Sequence, residues 1–112
     1  MIKHTAVAVA LTLATSALAE ASSGNFLYEK CNSQNATARV FCRGFLLGIV
    51  DGMAMASPNE AVCGDDITAE QLRLVFMNCA RRYPERLNLH HSEVAAISLM
   101  QAFPCKEACL SG

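Results

Sequence analysis

Residues 38–55, ARVFCRGFLLGIVDGMAM, are the most informative stretch of this chain because their composition predicts one long apolar helix. Arg43 and Asp51 interrupt the apolar run, so the segment suits the core of a folded domain better than a membrane span. Apolar residues occupy nearly every face of this helix, which is typical of the central helix of a small bundle.

Glycine recurs every four residues in this segment, at Gly44, Gly48 and Gly52, and therefore follows one helical face. Each interior glycine costs a helix about 1 kcal/mol relative to alanine, so a compensating contact is expected. We expect a second helix to approach this face closely, with Gly48 lying against the fourth helix near Ala95 or Ala96.

Three shorter helices accompany the central one. A short helix ends near Cys31 and a polar loop follows it. Thr68-Ala69-Glu70-Gln71 fits a capping box that begins a third helix, and Pro84 ends that helix. A polar connection leads to a fourth helix at about residues 92–102. The pattern predicts an all-α fold, a small four-helix bundle.

The spacing of apolar residues predicts which sides of the last two helices are buried. In the third helix these are Leu72, Val75, Phe76 and Cys79, and in the fourth they are Val94, Ile97 and either Leu99 or Met100. The opposite side of the third helix is expected to be exposed, with Arg73, Asn78, Arg81 and Arg82.

The N-terminal residues 1–19 have the form of a signal peptide. Lys3 supplies a positive start, residues 5–18 are free of charge, and Ala17-Leu18-Ala19 offers a cleavage site. The apolar run is shorter than the ~20 residues that span a bilayer. We therefore expect cleavage after Ala19, and a mature domain of residues 20–112 without a membrane segment.

Without Lys3, eight Lys and Arg residues oppose ten Asp and Glu residues, a net charge of −2. This balance provides no positive surface for nucleic acid or anionic lipid. Among macromolecular partners, the net charge therefore leaves another protein as the class to consider.

All six cysteines lie in the expected mature part: Cys31, Cys42, Cys63, Cys79, Cys105 and Cys109. An even number in an exported chain indicates a disulfide framework. A zinc site using cysteines with His90 or His91 is the alternative, but no C-x-x-C pair occurs, so we expect no metal and no cofactor. Spacing alone leaves the pairing open.

Catalytic motifs are missing from the sequence: there is no phosphate-binding glycine loop, nucleophile elbow or H-E-x-x-H. The adjacent histidines, His90 and His91, fit a solvated or capping position better than a general base. We therefore expect a binding protein and not an enzyme.

Several short motifs, in their order along the chain, resemble the Rap/Tai family of type VI secretion amidase immunity proteins. They are Cys31, the segment CRGFLLGIVD at 42–51, Cys63 before Ile67-Thr68, Tyr83-Pro84-Glu85, and Ala102-Phe103-Pro104-Cys105. The resemblance implies an all-helical, periplasmic homodimer that binds and inhibits a peptidoglycan amidase effector.

The family pattern also implies disulfides from Cys31 to Cys42 and from Cys63 to Cys105, which leaves Cys79 and Cys109 for each other. It further implies that the connection between the third and fourth helices enters the enzyme's cleft. Pro84 and Glu85 match the family motif.

Other residues of this connection are our own candidates because they concentrate hydrogen-bonding and aromatic groups, and Tyr and Arg are enriched among interface anchors. They are Arg82, Tyr83, Arg86, Asn88, His90 and His91.

Two other functions fit the sequence. One is a small periplasmic chaperone or stress protein that uses exposed apolar surface, and the other is a small structural or redox protein with reactive thiols.

Overall fold

The computed structural model describes residues 21–57 and 62–105. In this part lie four α-helices and one 3-10 helix: α1 Gly24–Asn32, α2 Ala36–Ala56, α3 Ala69–Arg82, the 3-10 helix Pro84–Asn88, and α4 His91–Ala102. The predicted all-α, four-helix fold is confirmed. The expected signal peptide, residues 1–19, lies outside the described residues, as does Cys109.

Side-chain caps fix where the helices begin. Asn35 Oδ1 accepts a hydrogen bond from the amide of Ala38 at 3.1 Å, at the start of α2. At the start of α3, Thr68 Oγ1 accepts from the amide of Gln71 at 3.1 Å, and Gln71 Oε1 accepts from the amide of Thr68 at 2.7 Å. This exchange confirms the predicted capping box, which satisfies amides that have no partner inside the helix.

The core lies where the four helices and the 3-10 helix meet. Its buried hydrophobic residues are Leu27, Cys31, Cys42, Leu46, Leu72, Phe76, Met77, Ala80, Leu87, Val94, Ala95 and Leu99. Of the two alternatives predicted for α4, Leu99 is buried and Met100 is exposed, while Ile97 is half-buried. Val75 and Cys79, expected to be buried, are likewise only half-buried.

The helix α2 lies at the surface, so its predicted central position is wrong. Only Cys42 and Leu46 of α2 are fully buried, whereas Val40 is 66% and Met55 is 86% exposed. An added Cβ at any of its three glycines would find nothing within 4 Å, and the predicted packing of Gly48 on α4 is therefore absent.

Two contacts of α2 with its neighbouring helices explain this orientation. A disulfide joins Cys42 to Cys31 of α1, and Arg43 forms an ion pair with Glu70 of α3 at 2.8 Å. These two bonds fix the rotation of the helix about its axis. The side with Val40, Gly44 and Leu47 is thereby turned to the solvent.

Two disulfides cross-link the described chain, from Cys31 to Cys42 and from Cys63 to Cys105, and both confirm the pairing that the family pattern implies. Cys79 forms no disulfide within the described residues, and the expected third pair, Cys79 with Cys109, stays a prediction. The expected partner, Cys109, lies outside the described residues.

Arg73 is 9% exposed, so its predicted exposure is wrong. Its guanidinium donates to the carbonyl of Cys31 at 2.9 Å and to both carboxylate oxygens of Glu70, at 2.9 and 2.6 Å. The last carbonyls of a helix have no partner inside it, and Arg73 supplies one to α1. Hydrogen bonds from Arg73 and then Arg43 lower the pKa of Glu70 from 4.5 to about 2. One carboxylate thus ties α2 to α3, and Arg73 extends the link to α1.

Among the described helices, none is long and apolar enough to cross a membrane.

Candidate protein-binding surface

The connection between α3 and α4, residues 83–90, is an ordered element. Pro84 occupies the first turn of the 3-10 helix, where its fixed φ is favourable and its missing N–H is not needed. The amide of Arg86 donates to the carbonyl of Tyr83, and the amide of Leu89 donates to the carbonyl of Arg86, both at 3.0 Å. Leu87 is buried in the core and holds the turn in place.

The start of the described chain fixes the far end of this connection. The amide of Gly24 donates to the carbonyl of Leu89 at 2.8 Å, and the amide of His91 donates to the carbonyl of Ser22 at 2.7 Å. Asn25 Nδ2 donates to the carbonyl of Leu87 at 2.9 Å. Residues 22–25 therefore support the connection, through backbone atoms of Ser22 and Gly24 and through the side chain of Asn25.

Gly24 permits this close approach because it has no side chain. A Cβ at this position would lie 2.9 Å from Val94 Cγ1 and 3.0 Å from both the Cα and the carbonyl oxygen of Leu87. Two of these three atoms belong to the backbone of the 3-10 helix, which cannot move aside by rotating a side chain. The position of the connection thus depends on glycine at residue 24.

One side of the connection faces α3 and α4. The Arg86 guanidinium lies over the Tyr83 ring, 4.0 Å from its centroid. Arg86 Nη1 donates to Gln101 Oε1 at 3.2 Å and contacts the Sγ of Cys79 at 3.7 Å. Three neighbours therefore hold the guanidinium in one orientation.

A cleft of about 310 Å³ lies beside this guanidinium, between α3 and α4. Its lining residues are Val75, Asn78, Cys79, Arg82, Tyr83, Ser98, Gln101 and Ala102. The cleft is large enough for one side chain of a partner. Polar and apolar groups share the lining about equally, and Arg82 is its basic residue.

The other side of the connection faces α1 and α2. His90 Nδ1 accepts from the amide of Ser92 at 3.3 Å and so caps α4, which is one of the two alternatives expected for the histidine pair; His91 is the first residue of the helix. His91 packs edge-on against Phe45, with ring centroids 4.6 Å apart. Burial, and then the proximity of His90, lowers the pKa of His91 below 6.5.

An aromatic row continues from these histidines across α2 to α1. Successive ring centroids lie 4.4 Å apart for His90 and His91, 4.6 Å for His91 and Phe45, 6.0 Å for Phe45 and Phe41, and 5.9 Å for Phe41 and Phe26. Phe41 is exposed. Aromatic pairs at these distances stabilise one another beyond their buried area, so the row is a firm apolar border to the connection.

The structure divides the predicted binding residues into two groups. Tyr83 and Arg86 contact α3 and α4, whereas Asn88, His90 and His91 contact α1, α2 or the first turn of α4. The most accessible members are Arg82, Pro84, Glu85, Asn88 and His90.

Sequence reasoning missed Gln101 and Asn25, which lie far from the connection along the chain and support it. The spacing of Phe41 and Phe45 could have predicted that their rings lie side by side, because residues four apart share a helical face.

No group of three His, Cys, Asp or Glu side chains in residues 21–57 and 62–105 is arranged to hold a metal ion.

The fold and this surface define a small helical domain, cross-linked by disulfides, that presents an ordered polar connection. A family model described as Rap1a immunity proteins matches residues 23–105. The chain therefore belongs to the Rap1a immunity protein family, which agrees with the resemblance seen in its motifs. Membership in an immunity family implies that the chain binds an effector protein. A search of the curated proteins finds no significant match, and a search of the solved structures finds none either.

Proposed function

We propose that this chain is a periplasmic, non-enzymatic immunity protein that inhibits a peptidoglycan amidase delivered by type VI secretion. The observation that carries the proposal is the ordered connection, residues 83–90, with Pro84 and Glu85 exposed on its 3-10 helix. In this proposal the connection enters the cleft of the amidase and excludes its substrate.

Preorganisation supports this role. Hydrogen bonds involving the backbone of Ser22 and Gly24 and the side chain of Asn25, together with the buried Leu87, hold the connection in one conformation before any partner binds. A segment that is already ordered loses little conformational entropy on association, and the saving appears as affinity. The exposed polar groups on both sides of the turn can then pair with the partner.

The proposed export also has chemical support. Two disulfides link the described chain, and disulfides form and persist in oxidising compartments such as the bacterial periplasm. The N-terminal residues 1–19 supply the expected signal peptide. Mass spectrometry of the chain isolated from a periplasmic extract should give a mature N-terminus at Glu20.

The decisive experiment uses the mature chain and a purified peptidoglycan amidase effector, and a small amidase gene next to the gene of this chain would identify the enzyme to test. The wild-type chain should bind this enzyme and stop its hydrolysis of peptidoglycan, and Glu85→Arg should weaken both effects. Asp65→Arg is the matched control, because Asp65 is exposed in the loop before α3, at the opposite end of that helix from the connection. Equal affinity for the two variants would place the interface elsewhere, and no affinity of the wild-type chain for the amidase would remove the immunity role.

We also propose that two copies pair through the exposed side of α2. Val40, Gly44 and Leu47 lie along this side, and the open space above Gly44 allows a second helix to approach closely. The same patch on both copies would form a symmetric interface. Val40→Glu should give a monomer in analytical ultracentrifugation, whereas Leu74→Glu, on the exposed side of α3, should not change the sedimentation of the dimer.

The same exposed apolar side favours one second candidate function, a chaperone that binds unfolded clients. A chaperone of this kind would protect unrelated proteins from aggregation, and Val40→Glu would abolish that protection. An immunity protein would leave unrelated clients unprotected.

A further inference from the structure

The cleft between α3 and α4 contains positive charge that the described residues do not neutralise. Arg82 lines the cleft, and Arg86 contacts its lining residues Cys79, Tyr83 and Gln101. Within residues 21–57 and 62–105, both ion pairs involve Glu70, which binds Arg43 and Arg73. Neither arginine at the cleft has a carboxylate partner there.

Arg86 is oriented for a ligand. Its Nη1 group donates to Gln101 and contacts Cys79, while the plane of the guanidinium rests on the Tyr83 ring. The Nε and Nη2 groups make no hydrogen bond with the described residues. These two nitrogens form the edge of a guanidinium that binds both oxygens of a carboxylate.

We propose that this cleft receives the side-chain carboxylate of an aspartate or glutamate on the protein partner. Arg86 binds the carboxylate through Nε and Nη2, and Arg82 adds positive charge at the rim. The identity of the partner rests on the proposed function, but the recognition of a carboxylate does not. The proposal also gives Gln101 a role, since its amide oxygen holds Nη1 and leaves the other edge of the guanidinium free.

The cleft fits a single side chain better than a separate small ligand. Its volume of about 310 Å³ lies at the lower limit of pockets that bind small molecules. It also adjoins the connection, so a partner that contacts Glu85 on the 3-10 helix can reach it. The partner therefore needs an acidic residue at the border of its contact with the connection.

A peptide titration tests the chemistry without the amidase. The probe is acetyl-Ala-Glu-Ala-amide added to the full mature chain, and its control is the same peptide with Gln in place of Glu. The Glu peptide should shift the NMR signal of the Arg86 Nε–H, and the Gln peptide should not. Equal responses to both peptides, or no response to either, would overturn the proposal. A response confined to acetyl-Ala-Gln-Ala with a free C-terminus would assign the cleft to a chain end and overturn the side-chain assignment.

A second experiment compares variants of the chain in their binding to the purified amidase used to test the proposed function. Arg86→Gln should weaken binding by about tenfold or more, as expected when one member of a close charge pair is removed. Arg86→Lys should recover only part of the loss, because lysine keeps the charge but lacks the planar edge. Arg39→Gln, on α2, is the matched control and should bind like the wild-type chain.

The outcomes separate this inference from the proposed function. If the amidase binds the wild-type chain and Arg86→Gln equally well, the carboxylate site is wrong and the immunity role stands. If the amidase does not bind at all but the Glu peptide shifts the Arg86 signal, the immunity role fails and the carboxylate site stands. Should Arg86→Gln not fold, as judged by circular dichroism, Arg82→Gln replaces it, with a smaller loss expected because Arg82 lies at the rim.

Discussion

Replacing Gly24 with alanine tests whether the backbone of α1 fixes the connection between α3 and α4. The new Cβ would lie 2.9 Å from Val94 Cγ1 and 3.0 Å from two backbone atoms of Leu87. Separations this short cannot persist, so the 3-10 helix has to move away from α1. Overpacking a tight contact costs about 1–3 kcal/mol, and we expect Gly24→Ala to lower the free energy of unfolding by this amount.

Gly48→Ala is the matched control because nothing lies within 4 Å of its added Cβ. Alanine is favoured over glycine inside a helix by roughly 0.5–1 kcal/mol, so this variant should be more stable than the wild-type chain. Replacing glycine with alanine should therefore lower the free energy of unfolding at residue 24 and raise it at residue 48. For a domain of this size each kcal/mol corresponds to roughly 4–8 °C in melting temperature.

Urea unfolding followed by circular dichroism measures both changes, and hydrogen exchange of the Leu89 amide reports on the connection itself. Gly24→Ala should accelerate exchange at Leu89, since its hydrogen bond to Arg86 closes the displaced 3-10 turn. If Gly24→Ala is as stable as Gly48→Ala, or if it leaves hydrogen exchange at Leu89 unchanged, the close approach at Gly24 does not fix the connection.

Three further predictions concern acid stability and the disulfides. The pKa of Glu70 is lowered to about 2, so its ion pairs stabilise the fold fully above about pH 4.5. This contribution to the free energy of unfolding is lost as the pH falls from about 4.5 to 2. Glu70→Gln should therefore remove this part of the acid sensitivity measured by urea unfolding. The pKa of His91 is also lowered, so on acidification the unfolded chain binds the proton first and the free energy of unfolding falls as the pH drops through 6.5. NMR titration of the His91 ring should give a midpoint below 6.5. A midpoint above this value would contradict the burial of the ring as the cause. The 63–105 disulfide closes a longer loop than the 31–42 disulfide, with sequence separations of 42 and 11, so its replacement by serines should cost about 1 kcal/mol more; equal costs in urea unfolding would contradict the loop-entropy argument.

Features that depend on neighbouring residues were predictable from the sequence. The capping box at Thr68 and Gln71 and the end of α3 at Pro84 follow from local hydrogen bonding and backbone geometry. The two disulfides required the family pattern, since cysteine spacing allows many pairings.

The rotation of α2 was not predictable, because apolar residues occupy nearly all of its faces and no side is marked for the core. The bond to Cys31 and the ion pair to Glu70 decide it, and both are tertiary contacts. The burial of Arg73 has a similar origin, since it depends on where α1 ends.

The candidate surface was predictable in position but not in construction. Pro84 and Glu85 mark the connection in the sequence. The supports at Asn25 and Gln101 come from opposite ends of the domain, and no spacing rule relates them to residue 86 or 87. The structure therefore adds the order of the connection, its two separate sides and the cleft beside it.

The hydrogen bonds between residues 22–24 and residues 89–91 have a consequence for synthesis. The ribosome makes Ser22 and Gly24 more than sixty residues before their partners His91 and Leu89. Contacts between such distant residues form late, because a long loop of chain must first be closed. A nascent or C-terminally truncated chain that stops before residue 89 cannot complete the connection, whatever helices it has already formed. Binding activity should therefore require nearly the whole domain, so that C-terminally truncated molecules do not compete for the partner.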